Sequence, residues 1–125
     1  MVAWTNDELS KIGAADELEI ASLRRDGTLR NRRTIWVVRL GNDLYVRSVN
    51  GRMAFWFRGT QVRHEGRIWT SGIEKDVTFV DAGHAVDDQI DAAYRRKYRR
   101  YAASIVSTIV SPNARSATLK LVPRS

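Results

Sequence analysis

Five residues in one part of the chain carry groups that can hold an anion: Arg33, Thr34, Arg47, Ser48 and Arg58. A guanidinium offers paired, charge-assisted hydrogen bonds to a phosphate, and a hydroxyl adds one more. Ser48 stands just ahead of Asn50-Gly51, a loop opened by glycine. Arg47 interrupts an otherwise apolar run, Leu44-Tyr45-Val46-Arg47-Ser48-Val49. On a strand, Arg47 shares a face with Tyr45, and Ser48 shares the other with Val46. The competing reading is that these arginines pair with Asp or Glu, or are simply solvated. Trp36, Trp56 and Trp69 offer flat walls for a planar ring such as a flavin. Tryptophans also serve as core or as dimer interface, burying the ring while the N–H finds a polar partner.

A second group lies later: Arg95, Arg96, Lys97, Arg99 and Arg100, interleaved with Tyr94, Tyr98 and Tyr101. Such a cluster can track a nucleic-acid backbone, with strong salt dependence, and tyrosines can stack on bases. It is equally what a dipole-matched helix end with a solvated basic face looks like. No helix-turn-helix or RNA-recognition signature accompanies it. Asp87, Asp88 and Asp91 precede it and suit a helix N-terminus better than a cation site.

Other chemistries are poorly served. The sequence has no cysteine, which removes disulfides, thiolate metal sites and thiol catalysis. His64 and His84 stand alone, without metal-ligand spacing. No motif supports a nucleophile with a base and an orienting acid.

The 125 residues suit one domain, expected over 1–125, with enough length for a real core. Lys plus Arg is 21 against 14 Asp plus Glu, a net +7 that favours anionic partners. Lysine occurs only at 11, 75, 97 and 120, so the positive charge is mainly arginine, the better group for bidentate grip. No apolar stretch approaches the roughly 20 residues of a membrane span. Met1-Val2-Ala3-Trp4-Thr5 does not read as a secretory signal. The expectation is a cytoplasmic protein with no membrane partner.

These groups must be positioned by short elements. Thr5-Asn6-Asp7-Glu8 reads as a capping box, with Trp4 and Leu9 at the staple positions and a helix stopping near Gly13. Strands are expected at 18–23, 34–40, 44–49, 67–70, 76–80 and 116–122. Thr34 to Leu40 is apolar on both faces and is expected centrally in a sheet. Gly41-Asn42-Asp43 joins it to the next strand as a tight hairpin. Residues 52–60 read as a short helix or wide loop, and His64-Glu65-Gly66 as a turn. Residues 87–101 read as a helix with a tyrosine-lined face, and 105–110 as its continuation or a new short turn. Hairpins with one intervening helix suggest a small antiparallel barrel with helices packed on it.

Several of these segments together resemble a bacterial family, domain of unknown function 2255. They include Arg25-Asp26-Gly27-Thr28, Ile35-Trp36-Val37-Val38, Leu44-Tyr45-Val46-Arg47-Ser48, Trp56-Phe57-Arg58, Gly66-Arg67-Ile68, Asp76-Val77-Thr78-Phe79, Asp91-Ala92-Ala93-Tyr94 and Thr118-Leu119-Lys120-Leu121. The resemblance covers nearly the whole chain and implies no activity. Residues 45–51 and 56–58 are also similar in order and spacing to split-barrel flavin- and deazaflavin-binding proteins, the pyridoxamine-phosphate-oxidase-like group. This chain has one loop glycine where that group has two, and it lacks the Pro and Asn-Leu usual around the Trp. This second resemblance implies an α+β fold: a six-stranded antiparallel split β-barrel with N-terminal and late C-terminal helices. It also implies a homodimer with cofactor at the interface.

Three function classes follow. The first is binding of an anionic cofactor, FMN or a deazaflavin, with oxidoreductase use. Arg47, Ser48 and Arg58 would then hold the phosphate and Trp36 and Trp56 would flank the ring, with Arg33 and Thr34 completing the candidate cofactor-binding set. The second is a basic non-enzymatic module that binds nucleic acid through the late helix. The third is a cofactor-free dimeric interaction protein, whose pocket would be plugged by its own side chains.

Overall fold

A computed structural model describes residues 3–124. Helix α1 (Asn6–Ala14) opens the fold and is capped as its sequence predicts. Thr5 Oγ1 accepts from the Glu8 N–H at 3.1 Å, and Glu8 Oε1 accepts from the Thr5 N–H at 2.9 Å. Four strands follow: β1 (Leu18–Ser22), β2 (Arg33–Ile35), β3 (Val38–Leu40) and β4 (Asp43–Arg47). A single turn at Gly51–Met53 leads into α2 (Phe55–Arg63), then β5 (Glu65–Thr70) and β6 (Ile73–Asp81). The chain ends with α3 (Asp87–Lys97), α4 (Ala103–Ile109), the short α5 (Pro112–Arg115) and β7 (Thr118–Pro123).

All seven strands form one antiparallel sheet in the order β2-β1-β5-β6-β7-β4-β3. The order corrects two expectations. Thr34 to Leu40 is two strands, which is why there are seven and not six. Those two strands are not central: they are the two ends of the sheet, yet only Trp36 and Val37 separate them in sequence. The sheet must therefore curl until its ends meet at that kink, which is the split in the barrel. Both faces of the segment are apolar for another reason. Val37 enters the core inside the curl with Leu18, Ile20, Leu44, Val46, Phe79 and Leu121. Its neighbour Val38 faces outward with Tyr45, under Ile90, Tyr94 and Tyr98 of the late helical region.

Turn chemistry sets the registers. Leu40 pairs with Asp43 across Gly41-Asn42, with Gly41 at φ 64°. Thr70 pairs with Ile73 across Ser71-Gly72, both at positive φ, as a tightly twisted hairpin requires. Residues 52–60 resolve into the Gly51–Met53 turn and the start of α2. His64, at φ 59°, ends α2 alone, and Glu65 and Gly66 already belong to β5 rather than to a turn.

Helix α3 stops at Lys97, four residues short of the expected Tyr101, and α4 is a separate helix. Tyr98 is held elsewhere. Its hydroxyl donates to Asp16 O at 2.7 Å and accepts from the Val37 N–H at 3.2 Å. Its ring lies flat on Trp36 at 3.8 Å. Lys97 Nζ donates to Val37 O at 2.6 Å. The kink that closes the barrel is thus tied to the end of α3. Tyr98→Phe leaves the buried Val37 N–H without that partner, a cost of about 1–3 kcal/mol. Thermal unfolding should show a Tm lower by about 5–10 °C. An unchanged Tm would mean the hydroxyl does not hold the kink.

Candidate functional site

Arg47 is the residue that most needs explaining, because β4 carries it into the interior. Its side chain has no solvent exposure. The Nε donates to Thr118 Oγ1 at 2.9 Å. One terminal nitrogen donates to Asp91 Oδ1 at 2.5 Å and to Ile109 O at 3.2 Å. The other donates to Asp87 O at 3.3 Å and stands 3.6 Å from Asp87 Oδ1. Asp91 is shared: Arg115 donates to its second oxygen through both Nε, at 2.9 Å, and a terminal nitrogen. Burial alone would push the Asp91 carboxyl up, but the hydrogen bonds from Arg115 and Arg47 prevail and hold it below its ordinary value. This network clamps α3 and the α5 region onto β4.

Beside the clamp runs a cleft of about 530 Å³. One wall is β2 and the kink: Arg32, Arg33, Thr34, Ile35 and Trp36. The second is the stretch after β4: Val49, Asn50, Ala54 and Trp56. The third is a face of α4: Ile105, Thr108 and Ile109. The fold therefore brings Arg33, Thr34, Trp36, Arg47 and Trp56 to one place. Arg47 borders the cleft, but its guanidinium is spent on the clamp. Arg33 is exposed and forms no ion pair or side-chain hydrogen bond among the described residues. Arg32 reaches Glu19 at 3.5 Å and lies 3.8 Å over the Trp69 ring. Trp36 is fixed by its stack on Tyr98, and Trp56 meets Phe57 edge-on at 6.0 Å.

Three of the sequence candidates are not brought there. Ser48 is buried on the opposite face of the strand, its Oγ without a partner among the described residues. Arg58 is exposed on α2, 5.9 Å over the Phe55 ring. Trp69 belongs to β5 and lines another depression. Residues that sequence reasoning missed are Asn50, Arg32 and the α4 face. Asn50 had a signal, since it opens the loop after Ser48. The α4 residues had none, because their contribution depends on where the helix docks.

Apolar side chains surround the mouth of the cleft. Val49 and Ile105, which line it, are 46% and 48% exposed. Met53 and Phe55, just before Trp56, are 78% and 86% exposed. Neither histidine lines the cleft. His64 caps α2, and His84 Nδ1 lies 2.7 Å from Asp87 Oδ2. Among the described residues, no cluster of His, Asp or Glu is placed to hold a metal ion, and no helix is long and apolar enough to cross a membrane.

Residues 8–121 match the family described as an uncharacterised protein conserved in bacteria, domain of unknown function 2255. The chain belongs to this family. No curated protein matches it by sequence. Among solved structures it is similar to HutZ, a heme storage protein from Vibrio cholerae, with a TM-score of 0.68 at 13% identity. That match covers 96% of this chain and 90% of the other. A pyridoxamine 5'-phosphate oxidase-like protein from Listeria innocua gives a TM-score of 0.66 at 12% identity, over 96% and 93% of the two chains. An F420 reductase gives 0.59 at 10% identity, over 93% and 92%. At these identities the likeness establishes the fold: this member of family 2255 is a split barrel of the α+β class.

Proposed function

We propose that the cleft binds an anionic, ring-bearing cofactor of the flavin class, FMN or a deazaflavin, and uses it in redox chemistry. The observation that carries this reading is the pairing of an unengaged guanidinium, Arg33, with two indoles, Trp36 and Trp56, around an open cleft of about 530 Å³, a size typical of small-molecule sites. The names of similar folds, an F420 reductase and a pyridoxamine-phosphate-oxidase-like protein, point the same way. Arg33 and Arg32 would hold the phosphate, with Thr34 and Asn50 adding hydrogen bonds. Trp36, already braced by Tyr98, would fix the ring plane. Arg47 would act at one remove by keeping α3 and α4 in place, and Ser48 and Arg58 would have no contact. The cofactor would supply the electron or hydride chemistry, and the protein binding, orientation and exclusion of water.

The cleft fits a flavin better than a haem. Haem iron needs an axial His, Cys, Met or Tyr, and none of these lines the cleft. The apolar rim of Val49, Met53, Phe55 and Ile105 would be covered by a second copy of the chain, giving a homodimer with the cleft at its edge. The cleft is open rather than plugged, which weighs against a cofactor-free interaction protein.

The test is titration of the purified protein with FMN and a deazaflavin, followed by absorbance and fluorescence. Saturable binding is expected. Arg33→Ala should weaken it about tenfold, as loss of a charge-assisted contact does, without lowering Tm, since the side chain is exposed. A protein that stays colourless and binds neither cofactor would refute the reading.

A further inference from the structure

Helix α4 has two working faces. Ile105, Thr108 and Ile109 look into the cleft described above, while Val106 and Val110 line a groove of about 390 Å³ on the other side. The far wall of that groove is Arg95 at the end of α3 and Arg99 in the turn after it, and Tyr101 stands beside them. No carboxylate lines it. Neither Arg95 nor Arg99 forms a hydrogen bond or ion pair through its side chain with another described residue. Two uncompensated guanidiniums facing one apolar-floored recess are a complementary site for an anion with an apolar or planar body.

The rest of the late basic cluster does not join them. Arg100 is paired with Asp16, Lys97 is tied to Val37 O, and Arg96 lines a separate furrow with Arg39. Tyr94 and Tyr98 are fully buried, so only Tyr101 is left to meet a ligand. A nucleic-acid track needs a continuous run of cations and accessible rings. Here the cations diverge in three directions. We infer that the groove between α3 and α4 is a second ligand site that takes a small phosphate ester, its phosphate on Arg95 and Arg99 and its body against Tyr101, Val106 and Val110.

AMP, inorganic phosphate and adenosine would be titrated into the whole protein by calorimetry. Saturable AMP binding, tighter than either fragment alone, is expected. The double variant Arg95→Ala/Arg99→Ala should weaken AMP at least about tenfold, with its circular dichroism and Tm unchanged because both side chains are exposed. Arg33→Ala should leave AMP binding intact, which separates this site from the cofactor cleft. The proposal falls if AMP does not bind, or if its binding is lost with Arg33 rather than with Arg95 and Arg99. It also falls if single-stranded oligonucleotides bind with affinity that climbs with their length, marking a polymer surface instead. FMN titration of the same double variant keeps the two readings distinct, since the cleft should respond normally.

Discussion

Asp91→Ala should lower Tm by on the order of 10–20 °C, or prevent folding at ordinary temperatures. The reason is what it leaves behind. Arg47 has no solvent exposure, and its only other carboxylate among the described residues is Asp87 at 3.6 Å, outside hydrogen-bond range. Removing one partner of a buried ion pair typically costs about 3–5 kcal/mol, because the surviving charge is stranded in low dielectric. For a chain of this size each kcal/mol moves Tm by several degrees. Replacing both partners, as Arg47→Met/Asp91→Leu, removes the stranded charge and should recover most of the loss. Thermal unfolding of Arg47→Met, Asp91→Leu, their double and the parent forms a closed cycle. If Asp91→Ala unfolds within about 2 °C of the parent, the clamp contributes nothing.

The same network gives stability a pH dependence with a definite sign. Asp91 titrates lower in the folded protein than in the unfolded chain. Its contribution is therefore complete above the unfolded carboxylate value near 4 and is lost as pH falls through the lower folded value. In the Arg47→Met/Asp91→Leu double variant, which lacks this carboxylate but keeps no stranded charge, the acid limb of the Tm profile should be flatter.

How much of this was legible beforehand is clearest at Arg47. A cation in the middle of an apolar strand is readable as an anomaly, and two resolutions were open: an anion from outside or a carboxylate from within. The choice lay in Asp91 and Arg115, brought together only by how α3 and α5 dock on β4 and β7. Local features were legible because their causes are local. The Thr5-Glu8 capping box, the hairpin turn beginning at Gly41-Asn42 and the largely apolar run of β4 depend on neighbours in sequence. The split of residues 33–40 into opposite sheet edges was not, since apolarity on both faces looks the same for a central strand and for a kinked one. Nor was the cleft, whose third wall is a helix defined by Tyr98 leaving the α3 spiral for Trp36 and Val37. Residue type singles out Arg33, Thr34, Trp36 and Trp56 together with Ser48 and Arg58, and the curl of the sheet brings only the first four to the cleft.

Gly66→Ala should be the other severely damaging single change, at about 3 kcal/mol or more. Gly66 lies in β5 opposite Ser22 of β1 and Val77 of β6, flanked by strands on both sides. A Cβ there would come within 2.1 Å of Ala21 O and 2.7 Å of the Phe79 ring. The first obstacle is backbone in a paired strand, and the second is a fully buried side chain in the central core. Neither can move without disturbing pairing or packing, so the overpacking cost sits at the top of the usual range of about 1–3 kcal/mol or beyond it. Two other glycines separate this steric effect from glycine's conformational freedom. At Gly72 a Cβ would meet nothing, but φ is 78°, so alanine should cost about 1 kcal/mol in strain. At Gly83 there is open space and φ is an ordinary −71°, so alanine should be neutral within about 0.5 kcal/mol. Urea denaturation of the three variants should rank them 66, 72, 83 in damage. If Gly66→Ala is as mild as Gly83→Ala, β1 and β5 do not approach as closely as the barrel requires, and the curl that forms the cleft would need another explanation.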